Sequence, residues 1–113
     1  MKPIACSLIA AAALLAPPFA AAACTYPPEV TIPDGSTASE DDMKAANGAV
    51  REYMGRVEEY LACMDDEEKA LGDAATDEQK KVHTARHNAA VDALNAVAAR
   101  YNDQVRLHKA KNP

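Results

Sequence analysis

Residues 43–64 read MKAANGAVREYMGRVEEYLACM, and within them Met43, Ala46, Val50, Tyr53, Val57, Tyr60 and Met64 recur at alternating spacings of three and four. That spacing is a heptad seam, which keeps a narrow apolar line on one side of an α-helix so that the helix can pack lengthwise on another. Just upstream, Thr37-Ala38-Ser39-Glu40 reads as a capping box, with a hydroxyl accepting from the freed amides and the Glu reaching back. Downstream the seam extends to Leu71, and Gly72 supplies a left-handed stop. A first helix is therefore expected over about residues 39–71.

A second capping box, Thr76-Asp77-Glu78-Gln79, opens a second helix expected over about residues 76–109, with Val91, Leu94, Ala98, Tyr101 and Val105 as its seam. A connection of only a few residues forces two long helices antiparallel. The expected fold class is all-α: a coiled-coil-like two-helix antiparallel hairpin. Charge favours the pairing, because the first helix with Asp73 carries eleven acidic against four basic residues, whereas the segment from Glu78 onward carries three against seven. Four Tyr, no Trp and abundant Ala also suit closely spaced helices. Only Val30-Thr31-Ile32 looks extended, and Pro27-Pro28 and Pro33 around it favour polyproline or turn geometry.

At the start of the chain, Lys2 precedes an apolar run from Ile4 to Leu15, and the segment closes on Ala20-Ala21-Ala22-Ala23. This is the pattern of a secretory signal peptide, cut after Ala22 or Ala23, with the run too short for a permanent span of about 20 residues. The chain divides into a signal peptide at 1–23, an extended Pro-rich arm at 24–38 and the hairpin at 39–113. A periplasmic, exported protein with no integral membrane span is expected. The alternative is a lipoprotein anchored through Cys24, although Ala21 stands where such signals carry Leu or a similar aliphatic residue.

Cleavage discards Cys6 and leaves Cys24 and Cys63, most simply one structural disulfide in an oxidising compartment. Closing a loop of about 40 residues contributes on the order of 4 kcal/mol in the chain-entropy model. A reactive thiol would need a nearby base or a Cys-x-x-Cys spacing, and neither is present. From Ser39 to Cys63 a helix rises about 36 Å, so the bridge closes only if the arm folds back along the first helix. Gly48, Gly55 and Ala62, seven apart and away from the seam, offer a smooth row on which Tyr26, Val30 and Ile32 are expected to lie. Solvent-facing glycines and a second helix pair are the other readings of that row.

A lone hairpin leaves apolar edges, here Met54, Leu61, Ala90 and Val97, that want a further cover. Met54, Leu61 and Val97 are the candidate interaction residues, with a homodimer or another envelope protein as the partner. His83 and His87, four apart on one helix face, are candidate transition-metal ligands. With cross-hairpin numbers summing to about 147, they lie opposite Met64 and Tyr60, near Glu67 or Glu68, and His87 stacked on Tyr60 is the alternative. Asp65-Asp66-Glu67-Glu68 lacks the alternation and Gly of a calcium loop and reads as a solvated face, offset by Lys80, Lys81 or Arg86. Asn88, Asn95 and Asn102 border the second seam, also seven apart.

A net charge of −5, about −6 once Lys2 is removed, with no basic cluster among aromatics, argues against nucleic acid. With no nucleophile and base, no phosphate loop and no paired carboxylates in a cleft, neither an enzyme nor a cofactor is expected. Cys24, Pro33-Asp34-Gly35-Ser36-Thr37-Ala38, Met43, Val50-x-x-Tyr53, Tyr60-Leu61-x-Cys63 and Tyr101-Asn102-x-Gln104-Val105 together resemble an uncharacterised group of small exported proteobacterial proteins. That resemblance covers nearly all of the mature chain and implies location and fold rather than activity. Ala75-Thr76-Asp77-Glu78-Gln79 is similar, without the leading Leu, to the Leu-Thr-x-x-Gln motif of periplasmic chaperones of the Spy and CpxP kind. The expected function is a non-enzymatic, self-associating structural or interaction module. An ATP-independent periplasmic chaperone and a metal binder through His83 and His87 are the alternatives.

Overall fold

The cap of the first helix forms two residues later than the sequence suggested. In a computed structural model, which describes residues 24–113, Ser39 caps helix α1, Glu40–Leu71. Its hydroxyl accepts from Asp42 N at 3.1 Å, and Asp42 Oδ2 accepts from Ser39 N at 3.1 Å. Thr37 belongs to the preceding turn instead: its hydroxyl donates to the Asp34 carbonyl at 3.3 Å, and its amide and that of Ala38 donate there at 3.1 and 2.9 Å. The second box forms as expected, with Thr76 and Gln79 bonded reciprocally at the start of α2, Asp77–Lys111. Between the helices lie Gly72, at φ +50°, and a short 3-10 turn over Gly72–Ala74. Only glycine takes that backbone without strain, so the chain reverses there. The expected signal peptide at 1–23, with Cys6, lies outside the described residues.

The two helices pack antiparallel, and the seam residues of α1 from Met43 to Met64 are buried, Val57 and Met64 completely, whereas Leu71, expected to extend the seam, is 41 % exposed where the helices end at the turn. The seam of α2 departs from expectation. Ala90 and Val97 are its buried residues, at 2 % and 4 % exposure, while Val91, Leu94, Ala98, Tyr101 and Val105 are half-buried beside them. The cause is size: α1 presents Tyr53, Tyr60 and Met64, so the facing line of α2 must be small for the layers to interdigitate. Val97 and Ala90, expected on an outer edge, thus belong to the intramolecular core.

The arm folds back as the geometry required, with Cys24 bridged to Cys63 at a Cα–Cα distance of 5.8 Å. Its far end is held where Gly35 N donates to Gln104 Oε1 at 2.8 Å. It does not lie over the glycine row, for nothing comes within 4 Å of a Cβ built on Gly48 or Gly55. Cys63 follows Ala62, so its Cβ projects about 100° further round the helix. The disulfide therefore draws the arm onto the flank of Ala49, Tyr53, Arg56 and Cys63, where Pro28–Thr31 borders Ala49, Glu52, Tyr53 and Arg56. Val30 and Ile32 pack against the core from that side.

Candidate functional site

Under the arm, three tyrosines from two elements meet. Tyr26 stands edge-on to Tyr60 and Tyr53, with ring centres 5.2 and 6.4 Å apart, an arrangement favoured by the aromatic quadrupole. The Tyr26 and Tyr53 hydroxyls are hydrogen-bonded to each other. Loss of hydration at Tyr26, reinforced by that bond, pushes its phenol up to about 12, although part of its ring remains at the surface, 37 % exposed. From α2, Arg86 Nε donates to the Tyr60 hydroxyl at 3.2 Å, and the guanidinium carbon lies 5.8 Å from the Tyr60 ring centre. Glu67 completes the cluster, accepting from Cys24 N at 3.2 Å and facing Arg86 at 3.8 Å. Tyr60 is thus partnered by Arg86 rather than by a stacked His87. Beside the arm an open groove of about 550 Å³ runs between Tyr26 and α2, floored by Ala89, Ala93 and Ala96.

The opposite flank has no such strap. Met54 and Leu61, seven apart, lie one step round α1 from the buried line of Val50 and Val57, and both are half-buried against the core. Leu94 and Tyr101, also seven apart and half-buried, are their counterparts on α2. Asn88, Asn95 and Asn102 are exposed. This flank holds two of the three residues expected to mediate interaction, Met54 and Leu61, while Val97 is sealed between the helices.

At the turn end, the candidate metal residues separate. His83 is largely covered, its side chain 18 % exposed, and its Nε2 faces Glu68 Oε2 at 3.0 Å and Asp65 Oδ1 at 3.7 Å. The His87 ring lies 6.4 Å from that of His83, centre to centre, and takes no part in the carboxylate cluster. Among the described residues, Lys80 and Lys81 form no ion pair with the acidic run; Arg86 pairs with Glu67, and His83 Nε2 faces Asp65 and Glu68. Two features escaped sequence reading, the Tyr26 cluster and the Gly35–Gln104 contact. Both join residues brought together only by the fold-back of the arm, and no local spacing signals them.

No protein-family model, curated protein or solved structure matches this chain. Among the described residues, no helix is long and apolar enough to cross a membrane.

Proposed function

We propose that this chain is an exported, non-enzymatic structural and interaction module that self-associates through the flank its arm leaves bare. The observation that carries this reading is the unequal cover of the hairpin. One flank carries the arm, with Tyr26, Val30 and Ile32 laid on it under a disulfide, whereas Met54, Leu61, Leu94 and Tyr101 on the other, half-buried against the core, have no strap across them. Apolar side chains at such an edge gain about 25 cal/mol for each Å² removed from water. A second copy supplies the cover together with charge. A two-fold axis parallel to the helices sets acidic α1 of one protomer against basic α2 of its partner, and like charge disfavours α1 on α1.

The export reading draws support from the cysteines, since a bridge between Cys24 and Cys63 persists in an oxidising compartment such as the periplasm. A lipid thioether on Cys24 would consume the same sulfur, so the bridged form is unlipidated. Cleavage after Ala23 would turn Cys24 N into an ammonium facing the Glu67 carboxylate, already 3.2 Å away.

Sedimentation equilibrium tests the association. A dimer is expected for the native chain, and a monomer of unchanged helicity for Met54→Lys combined with Leu61→Lys. A native chain that stays monomeric at all concentrations overturns the proposal. Intact mass from the envelope, with and without reductant, tests the processing: a chain starting at Ala23 or Cys24 that gains two hydrogens on reduction is expected, and an added lipid mass refutes it.

A further inference from the structure

We propose that Asp65, Glu68 and His83 form a binding site for one divalent transition-metal ion of the Zn²⁺ type, clamping α1 to α2 at the turn end of the hairpin. The three donor atoms lie within 4.8 Å of one another. Asp65 and Glu68, three apart, share one face of α1, and His83 reaches them from α2. Ligand atoms about 2.1 Å from a tetrahedral ion stand about 3.4 Å apart. The present separations from His83 Nε2, 3.0 Å to Glu68 and 3.7 Å to Asp65, bracket that spacing. One imidazole and two carboxylates form a donor set suited to Zn²⁺, with a water completing the shell. A cleft of about 230 Å³ bordered by Glu68, His83, Lys80 and Arg86 adjoins two of the three donors.

Charge gives the second argument. Among the described residues, no Lys or Arg pairs with Asp65 or Glu68, and the basic side chain facing them is His83. An imidazole offers at most one positive charge to two carboxylates. Both carboxylates also lie in the last two turns of α1, where the helix dipole adds negative potential. A dication balances both and replaces mutual repulsion with coordination. The donor set differs from the pair of histidines four apart, since it draws on both helices and leaves His87 out.

The test titrates Zn²⁺ into chelator-treated, oxidised protein, followed by calorimetry and native mass spectrometry; the disulfide removes both Cys24 and Cys63 thiols from competition. One Zn²⁺ per chain is expected, together with a raised melting temperature. His83→Ala and the near-isosteric Glu68→Gln should each weaken binding more than about tenfold with helicity retained, while His87→Ala leaves binding unchanged. Absence of stoichiometric uptake, undiminished uptake by His83→Ala, or loss on His87→Ala alone would each overturn the proposal.

Discussion

The amide of Gly35 donates to Oε1 of Gln104 across 2.8 Å, joining residues 69 positions apart. Gly35 belongs to the turn that ends the arm and Gln104 to the far part of α2, so this contact closes the end opposite the disulfide. The arm is therefore held at both ends, to α1 by Cys24 and to α2 by Gly35.

Gly35 serves close approach rather than an unusual φ. A Cβ built there would stand 1.9 Å from the Gln104 carbonyl oxygen, which belongs to helical backbone and cannot swing aside. Gly35→Ala is expected to destabilise the oxidised protein by about 1–3 kcal/mol. Gln104→Ala should cost about 1 kcal/mol through the lost hydrogen bond. Urea denaturation measures both, and a neutral Gly35→Ala would mean that this end of the arm lies elsewhere in solution.

Gly48 and Gly55 should behave in the opposite way. Nothing lies within 4 Å of either built Cβ, and both sit inside α1. Replacing either by Ala should stabilise the chain by up to about 1 kcal/mol. If either substitution instead lowers stability or dissociates an oligomer, another chain packs against that row.

The staple is expected to dominate stability. Cys24 and Cys63 are 39 positions apart, and removing the cross-link should cost on the order of 4 kcal/mol in the chain-entropy model, large beside a total of about 5–15 kcal/mol. Thermal melts of the Cys24→Ser and Cys63→Ser variants should agree with one another and with the reduced native chain. Near-ultraviolet circular dichroism should show the Tyr26 cluster dissolving with the arm, and an unchanged melt on reduction would contradict the tether.

Alkaline pH should loosen the Tyr26 contacts of the same arm while the disulfide stays closed. Tyr26 is raised from 10.0 to about 12, first by desolvation and then by its bond to Tyr53, so the fold favours the neutral phenol. Its contribution is complete below pH 10 and is lost as pH rises through about 12. Tyrosinate absorbance should show a late-ionising group that disappears in Tyr26→Phe. At the acid end the sign reverses. Asp42 is lowered by its bonds to Ser39, and Asp34 by its bonds to Ser36, so their contributions hold above the ordinary carboxylate value and vanish as pH falls through the lowered ones. Asp42→Asn should flatten the acid limb of a stability profile.

Local periodicity and local chemistry govern the part of this fold that is legible along the chain. The seam from Met43 to Met64, the Thr76–Gln79 box, the Gly72 reversal and the antiparallel hairpin all follow from spacings within a few turns of one helix. The helical rise from Ser39 to Cys63, set against the span of an extended chain, also required the arm to fold back.

Tertiary structure alone decided which faces meet. The facing line of α2 passes through Ala90 and Val97 rather than Val91 and Ala98, because bulky tyrosines opposite demand small residues, and a partner's size is invisible along one helix. The arm runs beside Cys63 instead of over Gly48 and Gly55, because one residue turns a side chain by about 100°. His83 finds Asp65 and Glu68 instead of His87, because donors converge across a gap whose register depends on both helices at once. Periodicity specifies each helix to within a residue or two, while the angle of one about the other comes from the summed packing of the whole interface.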